Sequence, residues 1–119
     1  MDSVNLKQKL SLFSEQWTPK IIADLDDNMV CLAKLEGDFV FHAHDNQDEM
    51  FLVVEGRLRM DFRDRQVWLE KGEMIVVSKG VEHKPFAPEE CCVLLIENKG
   101  TAHTGGVDDP RRKDKHDRI

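Results

Sequence analysis

The sequence predicts an all-β domain, an antiparallel sandwich or barrel with a short N-terminal helix and a polar C-terminal tail. Three observations carry this. Apolar segments of strand length follow one another closely, each bounded by glycine, aspartate or asparagine. Only one stretch, near the N-terminus, has helical spacing. The last nineteen residues hold just three apolar side chains, Ala102, Val107 and Ile119. The chain thus divides into a helical segment (1–18), a β-domain (19–100) and a tail (101–119).

Residues 4–16 form the expected helix, with Leu6, Leu10 and Phe13 at helical spacing and Asp2 or Ser3 as N-cap. Pro19 stops it, since proline lacks the amide and disfavours helix in the residue before it. Strands are then expected at 20–25 and 29–35, joined by the turn cluster Asp26, Asp27 and Asn28. Further strands follow at 39–44 and 49–55, then at 57–62 after a tight turn at Gly56. In 57–62, Leu58, Met60 and Phe62 alternate with Arg57, Arg59 and Asp61, which predicts one buried and one wet face. Strands at 66–70 and 74–77 flank a turn at Lys71 and Gly72, and Pro85 limits a short segment at 83–86. Residues 91–97 are almost all apolar, as expected of a strand covered on both faces. The tail carries a run of mixed charges from Asp108 to Lys115 and reads as solvated, the alternative being a segment docked on a neighbouring subunit.

Composition narrows the function classes. A chain of 119 residues suffices for one domain with a core. A net charge of −6 argues against a nucleic-acid partner, whose footprint is basic. No apolar run approaches the roughly 20 residues that span a bilayer, and residues 1–10 lack a secretory pattern, so a cytoplasmic protein is expected. The three cysteines, two of them adjacent at Cys91 and Cys92, form neither a disulfide framework nor a CxxC motif. They are expected to be small buried hydrophobes.

Chemistry concentrates in residues 37–56. On a strand, residues two apart face one side and stand about 6.6 Å apart, so His42 and His44 project together. The polar interval from Asp45 to Asp48 is long enough to turn the chain back and bring Glu49 to the same place. His83 follows a second glycine-rich stretch. In isolation, His42 and His44 are equally read as exposed histidines beside an acidic loop. The addition of Glu49 and His83 favours a metal site, because a carboxylate in an apolar barrel costs several kcal/mol unless it is paired or coordinates an ion.

Here the chain resembles the cupins, over roughly residues 30–97. The first cupin motif, a glycine, a His-X-His pair, a glutamate and a further glycine, is matched by Gly37, His42, His44, Glu49 and Gly56. The second is matched by Gly72, Gly80 and His83, with Ser78 in place of a proline and Ala87 where asparagine is common. The resemblance implies a conical jelly-roll barrel (a double-stranded β-helix) with a metal ion inside, and often a homodimer. His42, His44, Glu49 and His83 are then the metal ligands. Three imidazoles and one carboxylate suit a divalent transition metal, manganese or iron first, then nickel, then zinc. The implied function is a dioxygenase, isomerase or lyase acting on a small oxygen-rich metabolite. The alternative is a non-catalytic, metal-dependent module that binds a small molecule.

Other residues have simpler expected roles. Arg57, Arg59 and Arg65 are read as solvated, and Trp68 as covering a sheet or a dimer surface. Phe41, Met50 and Leu52 fall out of phase with the ligands, whereas Phe51, Val53, Met60 and Phe86 are candidates for an apolar cavity wall. His103 and His116 are expected not to be ligands, and Phe13 and Trp17 are candidates for a dimer contact.

Overall fold

The computed structural model describes residues 1–99, 105, 109–111 and 115–119. Among them a short helix, α1 (Leu6–Leu10), precedes eight strands: β1 (Lys20–Leu25), β2 (Asn28–Asp38), β3 (Glu49–Glu55), β4 (Leu58–Phe62), β5 (Gln66–Leu69), β6 (Met74–Val77), β7 (His83–Asn98) and β8 (Asp117–Arg118). The all-β expectation is met. No helix among the described residues is long and apolar enough to cross a membrane.

The helix is shorter than its spacing suggests. Asn5, and neither Asp2 nor Ser3, caps it by accepting the Gln8 amide at 2.9 Å. The helix ends before Phe13 and Trp17, which instead turn inward and are each 8% exposed. Both side chains are buried within this chain.

Strand β7 organises the sheet. Its first residues pair with β4 (Met60 opposite Pro85) and its later ones with β3 (Val53 opposite Val93), while β2 runs antiparallel along most of its length. The strand order is β5-β4-β7-β2-β1-β8, with β3 pairing both β6 and β7. Because β7 changes partner midway, the sheet forks and folds round a shared interior. Period-two alternation sends Cys91, Val93, Leu95 and Glu97 inward. Leu58, Leu32, Val93 and Cys31 are essentially inaccessible, each large apolar side chain contributing about 1.5–3 kcal/mol.

Three local expectations are corrected. Residues 83–86 and 91–97 form one strand: Pro85 stands in register opposite Met60, and Pro88 falls in the register shift between Ala87 and Cys91, where the pairing with β2 skips. Residues 39–44 form no strand; His42 alone bridges to His83. On β4, Asp61 is 5% exposed because Arg59 grips it with two hydrogen bonds of 2.6 and 2.9 Å, and Phe62 is the half-buried residue.

The described part of the tail packs on the barrel. Strand β8 pairs in parallel with β1, Arg111 donates to the Asp38 carbonyl at 2.8 Å, and Lys9 donates to the Ile119 carbonyl at 2.8 Å. The His116 side chain is only 1% exposed. A polar composition therefore hid a segment anchored by paired polar groups rather than by apolar burial. His103 lies outside the described residues.

Candidate metal centre

The site forms where two irregular stretches meet. The His42 amide donates to the His83 carbonyl at 3.0 Å, and the His83 amide returns a bond to His42 at 2.9 Å. This reciprocal pair sets the two imidazoles 4.3 Å apart by ring centroid. The Gly80 amide donates to the His44 carbonyl at 2.9 Å, and Asp48 accepts the Lys79 amide at 2.9 Å, so the two glycine-rich stretches are tied together. Glu49 opens β3 and points inward in phase with Phe51 and Val53. Gly56, which closes the same strand's turn, has φ +81°, and a Cβ there would lie 3.0 Å from the Cys91 Cβ.

Potential ligand atoms of His42, His44, Glu49 and His83 all lie within 4.8 Å of one another, and all four residues are buried. His44 Nε2 stands 3.3 Å and His83 Nε2 3.4 Å from Glu49 Oε1. Yet these three buried atoms have no hydrogen-bond partner, which is costly for polar groups out of contact with water. The Nδ1 atoms of His42 and His83 lie 2.8 and 2.9 Å from the carbonyls of Val40 and Val81. A carbonyl only accepts, so each Nδ1 carries the hydrogen and each Nε2 presents a lone pair to the centre. Backbone support of this kind orients ligand imidazoles. The donor set, its convergence and its orphaned atoms fit a divalent cation.

Electrostatics agree with neutral imidazole beside charged carboxylate. Burial, with the neighbouring His83, pushes His42 down to about 4. Burial alone would raise Glu49, but contact with Glu97, His44 and His83 outweighs it and holds this carboxyl well below its ordinary range. Glu97 behaves in the opposite sense: burial and the adjoining Glu49 hold it well above. Cys31 and Cys91 are pushed up to about 12 by burial, consistent with inert thiols.

A cavity adjoins His42 and Glu49. Its remaining walls are Trp17, Pro19, Ala33, Leu35, Phe39, Phe51, Pro85 and Leu95. Of the expected wall residues only Phe51 lines it. Val53 and Met60 are core residues, and Phe86 packs beneath the Arg59 guanidinium at 4.4 Å. Arg57 lies 3.9 Å over the exposed Trp68, and Arg65 lies 4.9 Å over Phe62; none of these arginines reaches the centre.

Sequence reasoning missed Glu97, Trp17 and Phe39. Glu97 is 1% exposed and lies 3.8 Å from His116. Its phase with Cys91, Val93 and Leu95 was the signal that could have found it. Trp17 carried no such signal, since it lies between helix and strand. His116 is buried but stands apart from the four converging residues.

Relatives share this architecture. YdbB, an uncharacterized protein of Bacillus subtilis, is 32% identical over 79 residues, or 66% of this chain and 70% of YdbB. The crystal structure of a cupin-2 domain containing protein from Shewanella frigidimarina is 48% identical with a TM-score of 0.80, covering 81% of this chain and 94% of that one. Protein NMB1881 from Neisseria meningitidis is 37% identical with a TM-score of 0.75, covering 82% and 100%. The family model described as the cupin domain matches residues 28–97, which include all four converging side chains, and the chain belongs to that family.

Proposed function

We propose that His42, His44, Glu49 and His83 hold one divalent metal ion, manganese or iron before nickel or zinc, and that the centre is that of a small metal-dependent enzyme. The observation that carries this is the set of orphaned atoms, His44 Nε2, Glu49 Oε1 and His83 Nε2, buried together beside a cavity. A bound ion supplies Lewis acidity and a meeting point for oxygen and a chelating substrate. The chain's own residues fix the imidazole lone pairs, exclude water with apolar walls and keep Glu49 charged. Among the described residues, the ionisable side chains in the cavity lining are His42 and Glu49, themselves proposed ligands. The described lining thus offers no separate acid or base. This favours dioxygenase chemistry over isomerase or lyase chemistry, which moves protons through a positioned side chain.

The same observation supports the second reading, a non-catalytic binding module. Elemental analysis of protein purified without added metal tests the centre, and a stoichiometry near zero after reloading with Mn(II) or Fe(II) would remove it. Oxygen uptake by the loaded protein with small chelating metabolites then separates enzyme from module. The expected partners are a small molecule and a second copy of this chain. With Phe13 and Trp17 buried, a homodimer would draw on exposed residues such as Met74 and Val76 of β6.

A further inference from the structure

We infer that the cavity beside the centre receives a small, flat, apolar carbon skeleton whose polar atoms are confined to the end that meets the cation. This rests on the reading above, that the four side chains bind an ion with open coordination positions. The cavity spans about 360 Å³ of atom-free space including its open mouth, and little of that is enclosed. It is a narrow slot. Among the described residues, its lining beyond His42 and Glu49 is apolar, including Trp17, Phe39, Phe51 and Leu95. A sugar or polyol would surrender its hydration there and find no hydroxyl partners on these apolar side chains, a cost that an aromatic or aliphatic ring avoids.

The wall is specifically held. Trp17 has φ +56°, a left-handed conformation that bulky residues avoid and that persists where surrounding structure enforces it. Its amide donates to the Lys34 carbonyl at 2.9 Å, and its indole Nε1 donates to the Glu36 carbonyl at 3.0 Å. The one polar group of the indole is thus spent on backbone, and the ring presents carbon to the slot. It stacks on Phe39 with centroids 4.5 Å apart and planes 8° from parallel. Arg111 lies against both rings, 4.5 Å from the centroid of Phe39 and 5.5 Å from that of Trp17. Its guanidinium is gripped by Asp109 at 3.0 and 3.2 Å, so it brings no uncompensated charge to attract an anionic tail.

Three hydroxamates with one chelating head test the inference: acetohydroxamate, benzohydroxamate and gluconohydroxamate, titrated calorimetrically into Mn(II)-loaded protein, with free Mn(II) as reference. The expected result is benzohydroxamate at least tenfold tighter than acetohydroxamate after correction for free-ion affinity, and gluconohydroxamate no tighter than acetohydroxamate. In a Trp68→Phe background, benzohydroxamate should also quench the remaining Trp17 fluorescence. Ala33→Leu, or Ala33→Val if the larger side chain prevents folding, should collapse the benzo-to-aceto ratio toward one by filling the slot. Equal binding of all three hydroxamates would overturn the inference and leave the centre standing. Failure of all three to bind would overturn the open metal centre and the inference with it.

Discussion

The burial of His42 makes a measurable demand on stability. In metal-free protein its imidazole is held down to about 4 from an ordinary 6.5, by burial and by His83. The unfolded chain therefore takes up the proton first as pH falls. Stability from this residue is complete above about pH 6.5, declines through the interval, and is fully lost below about pH 4. At about 1.4 kcal/mol per pH unit, the whole interval is worth about 3 kcal/mol, of which about 2 kcal/mol is lost between pH 7 and 4.5. Other groups titrate in the same range, so the quantity to measure is a difference between variants. His42→Asn keeps an amide near the Nδ1 position to donate to the Val40 carbonyl but cannot titrate. Urea unfolding of chelator-treated wild type and variant at pH 7 and 4.5 should show the wild type losing about 2 kcal/mol more than the variant. Equal losses would mean that His42 is protonated as easily folded as unfolded, and that the buried centre is misplaced.

Further outcomes follow from the same geometry. His44→Ala should lower bound metal and abolish the thermal stabilisation that added metal gives, about 2.7 kcal/mol at a hundredfold excess over Kd; elemental analysis and melting curves with and without Mn(II) would check it. Glu97→Gln should stabilise metal-free protein at pH 7.5 by on the order of 1 kcal/mol, because burial and Glu49 disfavour its ionised form, and should flatten the fall in stability as pH rises above about 4.5. A wild type equally stable at pH 5 and 7.5 relative to that variant would count against the pairing. Gly56→Ala should cost about 1–2 kcal/mol from the positive φ alone and more from the Cys91 contact, read by denaturant midpoint. Leu58→Ala, at a fully buried site, should cost about 2–5 kcal/mol by the same measurement, with metal content unchanged.

Strand existence was legible because a half-buried strand must alternate, as Leu58 and Met60 do against Arg57 and Arg59. The four converging residues were legible for a different reason. His-X-His, a glutamate after a polar turn and a histidine after a glycine-rich loop are rare together unless they share a partner. Less visible were the joins. Whether 83–86 and 91–97 are one strand depends on what lies beside Pro85 and Pro88, and the proline pattern alone suggests a break. The wet face assigned to Asp61 failed because one arginine two residues away neutralises it. The tail failed similarly: its polarity signalled solvent, but Lys9 and Asp38 supply partners from distant parts of the chain.

By itself, then, the sequence determined the class of fold and the identity of the side chains that meet at the centre. Both depend on local spacing and on residue chemistry carried in the chain. Only the tertiary structure decided what surrounds that centre: the Trp17–Phe39 wall, the buried Glu97 beside Glu49, and the folding back of the C-terminal segment. Those depend on contacts between residues far apart in sequence, where burial and pairing are set by the neighbour and not by the residue type.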